Sequence, residues 1–213
     1  MTTTRPPLDT MGYDERSLFL REFLRAPLTV AAVAPSGGPL ADLVTAPVPR
    51  DGAPLVVELG PGTGSFTAAI QRRLAGRGHH VAVEVNPRFA GVLAARYPRV
   101  DVAVADARDL RAVLAERGHR PADVIVSGLP WAAFAESQQD DLLEAVTDSL
   151  APGGAFTTFG YTFSRWVPAA RRLRHSLGIR FEEVVTGRTV WANVPPAFVH
   201  FCRRPRVPAR IGD

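Results

Sequence analysis

From residue 55 to residue 203, short apolar runs alternate with stretches whose apolar positions recur every three or four residues. The runs at 55–59, 80–85, 100–105 and 122–127 predict strands, and the patterns at 65–76, 87–96 and 108–117 predict helices between them. A longer helical pattern over about 136–150 meets Pro152-Gly153-Gly154, a strong stop signal. A strand at Ala155–Gly160 follows, then a helix over about 165–177 closed by Gly178. Two last β-rich runs, 180–191 and 197–203, flank Pro195-Pro196. Upstream, Asp14 to Ala26 is helical in pattern, with Phe19, Leu20, Phe23 and Leu24 on one side and Arg21, Glu22 and Arg25 mostly on the other. Pro27 ends that helix, and Pro39 opens a short one through Val44. The alternation is that of an α/β sandwich with a parallel sheet. It divides the chain into an N-terminal helical arm and lid over 1–50 and an α/β domain over 51–213.

Composition narrows this little. A chain of 213 residues suits one domain with a small appendage. All 25 basic residues are Arg, and the net charge of +4 permits an anionic partner without demanding one. Cys202 is alone, so no disulfide framework or thiolate cluster forms within one chain, and a reducing cytoplasm fits. No secretory signal is visible, and the longest uncharged run, Ala26 to Ala41, is broken by prolines and glycines. No metal site is expected: none of the five histidines pairs with an acid at ligand spacing, and His79-His80 reads as a solvated loop.

Candidate chemistry concentrates after the first strand. Leu55-Val56-Val57-Glu58-Leu59 runs into Gly60-Pro61-Gly62-Thr63-Gly64-Ser65, and a helical pattern follows. Glycines there let the backbone approach a nucleotide-like ligand at the carboxyl edge of a parallel sheet. Ser65 occupies the third place of the dinucleotide pattern, which disfavours a pyrophosphate. Glu58 before the loop suits a cationic amino acid moiety instead. The residues resemble the first motif of the S-adenosylmethionine-dependent methyltransferases with a Rossmann-like fold. Glu84 ends the second strand, 24 residues beyond Gly60, where an acid accepts both ribose hydroxyls. Asp106 ends the third strand. The resemblance implies that it accepts from the adenine amine and that the Ala107 amide meets a ring nitrogen, while Asp109 reads as a helix cap. It also implies a mostly parallel seven-stranded sheet with a reversed last strand.

The fourth strand ends Ser127-Gly128-Leu129-Pro130-Trp131, where amine-modifying methyltransferases carry a short loop ending in Pro and an aromatic residue. Backbone carbonyls of Ser127, Gly128 or Leu129 would orient an amine, and the Trp131 ring would face its cationic product or else pack under the sheet edge. The related ribosomal RNA adenine dimethyltransferases have Asn where Gly128 stands, so nucleic acid is not the expected partner. Four stretches resemble the bacterial phospholipid N-methyltransferases, which methylate phosphatidylethanolamine: Phe23–Ser36, Ser127–Pro130, Gly160-Tyr161 and Val190–Ala197. The resemblance implies a cytoplasmic enzyme, peripheral at the membrane's inner face, with S-adenosylmethionine as cofactor. It directs Tyr161, with Asn193 as a weaker candidate, to acceptor positioning. The 14–26 helix reads as an interfacial helix or a lid. The alternatives are a methyltransferase of a soluble metabolite, an RNA adenine methyltransferase, and a non-catalytic binding module. Acceptor identity and oligomeric state stay open.

Overall fold

The computed structural model describes residues 38–206. The 14–26 helix and the Phe23–Ser36 stretch lie outside the described residues.

Helix α1 (Gly38–Val44) precedes an alternating series: β1 (Leu55–Leu59), α2 (Thr67–Leu74), β2 (His79–Glu84), α3 (Pro87–Arg96), β3 (Asp101–Val104), α4 (Leu110–Glu116), β4 (Ala122–Ser127), α5 (Glu136–Ser149), β5 (Leu150–Tyr161), α6 (Pro168–Arg180), β6 (Phe181–Thr186) and β7 (Ala197–Pro205). The seven strands form one sheet in the order β3-β2-β1-β4-β5-β7-β6. All neighbouring pairs from β3 to β5 are parallel, and β7 runs antiparallel to both β5 and β6. The sheet is therefore the mostly parallel, seven-stranded one with a reversed last strand.

Alternation along β1 sends its side chains to two different layers. Leu55, Val57 and Leu59 join a cluster with Leu110 and Leu114 of α4, Leu143 and Val146 of α5, and Leu173 and Leu177 of α6. Val56 packs with Leu40 and Val44 of α1 and with Phe66 and Ile70 beside and within α2. On that same face α3 packs Leu93 against Ala82. Buried on both faces, the central strands read as continuous apolar runs. Helix α1 belongs to this core: the Thr157 hydroxyl of β5 donates to the Val44 carbonyl at 2.8 Å. Residues 38–44, assigned in sequence to the arm, thus pack with the α/β domain.

Several boundaries differ from expectation; β6, for one, ends at Thr186 and not at 191. β5 begins at Leu150 and runs through Pro152-Gly153-Gly154, with a register shift against β4 between Ala122 and Val124. The irregularity absorbs the proline and glycines, which bend the strand instead of delaying it. Gly178 does not close α6, which continues to Arg180 and ends where Phe181 turns extended and enters β6. The His79-His80 pair lies inside β2 and not in a loop.

Candidate active site

The carboxyl ends of β1 to β5 bring the candidate residues to one edge. Gly60, Gly62 and Gly64 all have left-handed φ, at 63°, 57° and 103°. Only glycine adopts that conformation without strain, so the loop reverses within five residues and feeds α2. The Gly60 amide donates to Val83 of β2 at 3.0 Å, and the Gly62 amide donates to Glu84 Oε2 at 3.0 Å. Glu84 Oε1 accepts from Asn86 N at 2.9 Å. Each Glu84 oxygen thus accepts one backbone amide and keeps further lone-pair capacity. Glu84 is buried, not the exposed strand-end acid its position in sequence suggests. Burial raises its pKa above 4.5, the bonds from Asn86 and Gly62 oppose the rise, and the nearby Glu58 charge adds to it.

The fourth-strand loop is pressed against the glycine loop. Gly128 N donates to the Leu59 carbonyl at 2.8 Å. A Cβ on Gly128 would stand 2.7 Å from the Gly60 carbonyl oxygen. No side chain fits there, so the glycine in the place of Asn is a packing requirement. Ser127 Oγ accepts from Trp131 Nε1 at 3.0 Å and from Leu129 N at 3.3 Å, which ties the loop into a compact turn.

Trp131 corrects an expectation. It is 2 % exposed, with Phe134 and Phe156 rings edge-on at 6.2 and 5.9 Å. Its ring packs under the sheet edge, so it anchors the loop and does not offer an open face to a cation. Its carbonyl accepts from Gln139 Nε2 at 2.7 Å. Gln139 had a signal in the sequence, a polar residue three positions before Leu142 on the buried stripe of α5.

Glu58 is fully buried on the α2 face, where Oε2 accepts from Thr67 Oγ1 at 2.6 Å and lies 3.2 Å from His80 Nε2. The side chain therefore reaches toward α2 and β2; Thr67 carried no signal in the sequence, and His80, expected in a solvated loop, is a buried partner. Glu58 Oε1 is buried with no hydrogen-bond partner. Such an acceptor is costly to leave unmet.

Asp106 caps the single turn at Ala107–Asp109 by accepting from Arg108 N at 2.9 Å, while Asp109 makes no capping bond. Both Asp106 oxygens also accept from the Arg108 guanidinium, at 3.0 and 2.8 Å. Burial pushes the Asp106 pKa up, but the Arg108 bonds and charge outweigh it and leave it below 3.8. Ala107 is buried.

Tyr161 ends β5. Its ring stacks on Phe163 at 5.5 Å and meets Phe159 edge-on at 5.6 Å, and Phe159 in turn meets Phe66 at 5.6 Å. An aromatic chain thus connects the residue before α2 to the far end of the edge. Among the described residues the Tyr161 hydroxyl has no hydrogen-bond partner, and burial raises its pKa above 10. Asn193 is buried, with Nδ2 donating to the Pro195 carbonyl at 2.6 Å. That bond lies within its own loop. Among the described residues no three His, Cys, Asp or Glu side chains gather as metal ligands, and no helix is long and apolar enough to cross a membrane.

A doubly wound sheet with one reversed strand, a glycine turn after β1 and an acid ending β2 define a Rossmann-like methyltransferase. The chain belongs to the S-adenosylmethionine-dependent methyltransferases: residues 56–154 match the Methyltransferase domain family. It is 37% identical over 189 residues to the ornithine lipid N-methyltransferase of Singulisphaera acidiphila, a match spanning 87% of this chain and 94% of that protein. Among solved structures it resembles the O-methyltransferase TomG of Streptomyces achromogenes in complex with S-adenosylmethionine (TM-score 0.63, 17% identity, 92% of each chain). It also resembles an O-methyltransferase of Bacillus cereus in complex with S-adenosylhomocysteine (TM-score 0.61, 16% identity, 87% of this chain and 90% of that one). The residues present fit the cofactor, S-adenosylmethionine. A Cβ on Gly62 would meet nothing within 4 Å, which leaves an open cradle over the turn, and Glu58 Oε1 is an unmet acceptor for a cation.

Proposed function

We propose that this enzyme methylates the amine of a lipid headgroup at a membrane surface, and that phosphatidylethanolamine and ornithine lipid are the acceptors to compare. The observation that carries this is the 37% identity, over nearly the full length of both chains, to an ornithine lipid N-methyltransferase. A soluble metabolite as acceptor is the competing reading.

In this reading the glycine turn and Glu84 hold the ribose, Asp106 accepts from the adenine amine, and the Ala107 amide meets the ring. Glu58 Oε1 receives the ammonium of the methionine moiety. Bound there, S-adenosylmethionine supplies an electrophilic methyl on sulfur. The protein's part is to bring a deprotonated amine in line with it. Carbonyls of the Ser127–Leu129 turn orient the amine, held by the Trp131 anchor. The Tyr161 phenol is protonated at neutral pH, and burial only raises its pKa further, so its unpartnered hydroxyl is a donor to the headgroup. Asn193 supports the loop that faces it.

The test is methyl transfer from labelled S-adenosylmethionine to liposomes of defined headgroup, beside a panel of soluble amines. Label in an aminolipid, with Tyr161→Phe slowing turnover at unchanged cofactor affinity, is the expected result. Label only in soluble amines would overturn the lipid reading. Wild-type single-turnover rates in Tyr161→Ala would remove Tyr161 from the mechanism.

A further inference from the structure

Large apolar side chains stand in solvent at one place on the sheet's carboxyl edge. Trp166 is 77 % exposed, Trp191 76 %, Val194 76 % and Phe163 69 %. Trp166 and Phe163 belong to the turn between β5 and α6, and Trp191 and Val194 to the loop between β6 and β7. The two segments are fastened together. Thr162 donates to the Pro196 carbonyl from its amide at 2.9 Å and from its hydroxyl at 3.2 Å. The second loop is closed by the Val190–Ala197 bridge and by the Asn193 bond to Pro195. Exposed aromatics grouped on a fastened rim have no folding rationale, and such a patch marks an interaction surface.

Charge selects the partner. From 150 to 206 the chain holds nine Arg and only two acids, Glu182 and Glu183. Both acids lie at the start of β6, near Arg204, at 3.8 and 3.4 Å. That is the end of β6 away from the loop to β7. Arg165, Arg171 and Arg188 are exposed beside the aromatics in sequence and make no ion pair among the described residues. Tryptophan with neighbouring arginine is the composition that settles at the headgroup level of a bilayer and favours anionic lipid. The stack of Phe163 on Tyr161 ties this rim to the proposed acceptor site.

We propose that the 162–167 turn and the 190–196 loop together seat the carboxyl edge of the sheet on an anionic lipid bilayer, presenting the acceptor site to lipids within it. This rests on the lipid reading above and names the surface that reaches the substrate.

The test uses the full chain and sucrose-loaded vesicles of phosphatidylcholine with or without phosphatidylglycerol, without cofactor. Wild type should co-sediment with the anionic vesicles, with a blue shift of tryptophan emission, and should release in high salt. The double variant Trp166→Ser/Trp191→Ser should keep the wild-type melting temperature and partition at least ~10-fold more weakly, since each loses a large apolar side chain. Trp166→Phe/Trp191→Phe should retain most binding. Wild-type partitioning in the folded serine variant would overturn the proposal. So would a wild type that ignores vesicles but forms a concentration-dependent dimer abolished by the same substitutions. Methyl transfer to a monomeric short-chain aminolipid separates the two readings: activity there with no effect of the variants on vesicles sinks only the rim. Absence of transfer to any aminolipid sinks the lipid acceptor while vesicle binding still reports on the surface.

Discussion

Gly128→Ala is a one-carbon test of how the β1 and β4 loops share space. The added Cβ would lie 2.7 Å from the Gly60 carbonyl oxygen, with the Leu59 carbonyl oxygen next at 3.5 Å. Carbon–oxygen contacts settle near about 3.3 Å, so one loop must retreat by about 0.6 Å. Both are pinned: Gly128 N to Leu59 at 2.8 Å and Gly60 N to Val83 at 3.0 Å. Retreat weakens one of these bonds, at about 1–3 kcal/mol for a buried group left unmet. Loss of backbone freedom in the unfolded chain offsets about 0.4–1 kcal/mol of that. The net expectation is about 1–2 kcal/mol of destabilisation, a fall of about 2–8 °C in Tm for a chain of this size. Because the displaced atom belongs to Gly60, affinity for S-adenosylmethionine should fall with it. Gly91→Ala is the control, since its Cβ meets nothing within 4 Å in the middle of α3, and it should stabilise by about 0.5–1 kcal/mol. Thermal melts and calorimetric titration of both variants decide the matter. A Gly128→Ala protein with unchanged Tm and cofactor affinity would refute the contact argument.

Glu84→Gln should weaken S-adenosylmethionine by about 2–3 kcal/mol, the range for hydrogen bonds to a charged group, read by titration calorimetry. Because the folded Glu84 pKa lies above 4.5, the folded state holds its proton longer than the unfolded one. Wild-type stability therefore declines relative to Glu84→Gln as pH rises through that window, visible as a Tm difference between pH 4 and pH 7. Asp123 has the opposite sign: burial raises its pKa, but Arg120 and the Leu55 amide at 2.7 Å bring it below 3.8. Its contribution is present above that pH and lost as pH falls through the folded value, so Asp123→Asn should flatten the acid limb of stability. Trp131→Ala should cost about 3–5 kcal/mol by denaturant titration, as for a large aromatic core truncation, whereas a solvent-facing ring would cost far less.

The glycine turn, the acid ending β2, the acid just after β3 and the α/β alternation are legible because each is local: period, punctuation and spacing carry them. What escaped was set by side-chain partners that period and spacing do not specify, some of them near in sequence and some distant. Glu58 reads as an acid with both oxygens free for a ligand until Thr67 and His80 claim Oε2 and leave Oε1 alone unmet. Asp106 reads as free until Arg108, two residues on, folds back over both of its oxygens. Gly128 looks like a missing asparagine until the Gly60 carbonyl is found in the way. Trp131 was undecided because an aromatic after a strand is equally a lid and a wedge, and only Phe134, Phe156 and Ser127 settle which. Pro152-Gly153-Gly154 punctuates a helix and a bulged strand alike, so the start of β5 at Leu150 is not legible locally.

The reversed β7 has a consequence for how such a protein diversifies. Running antiparallel between β5 and β6, it makes the β6–β7 connection turn back at the carboxyl edge, beside the end of β5. The connection from Gly187 to Pro196 is closed by the Val190–Ala197 bridge and fastened to the end of β5 through Thr162, and on the proposed reading it is an adjustable piece of the acceptor side. Doubling its length costs only about 0.6 kcal/mol in loop closure. On that reading a lineage can lengthen, shorten or recompose this hairpin to follow a new acceptor while the glycine turn and Glu84, three and four strands away, keep the same methyl donor.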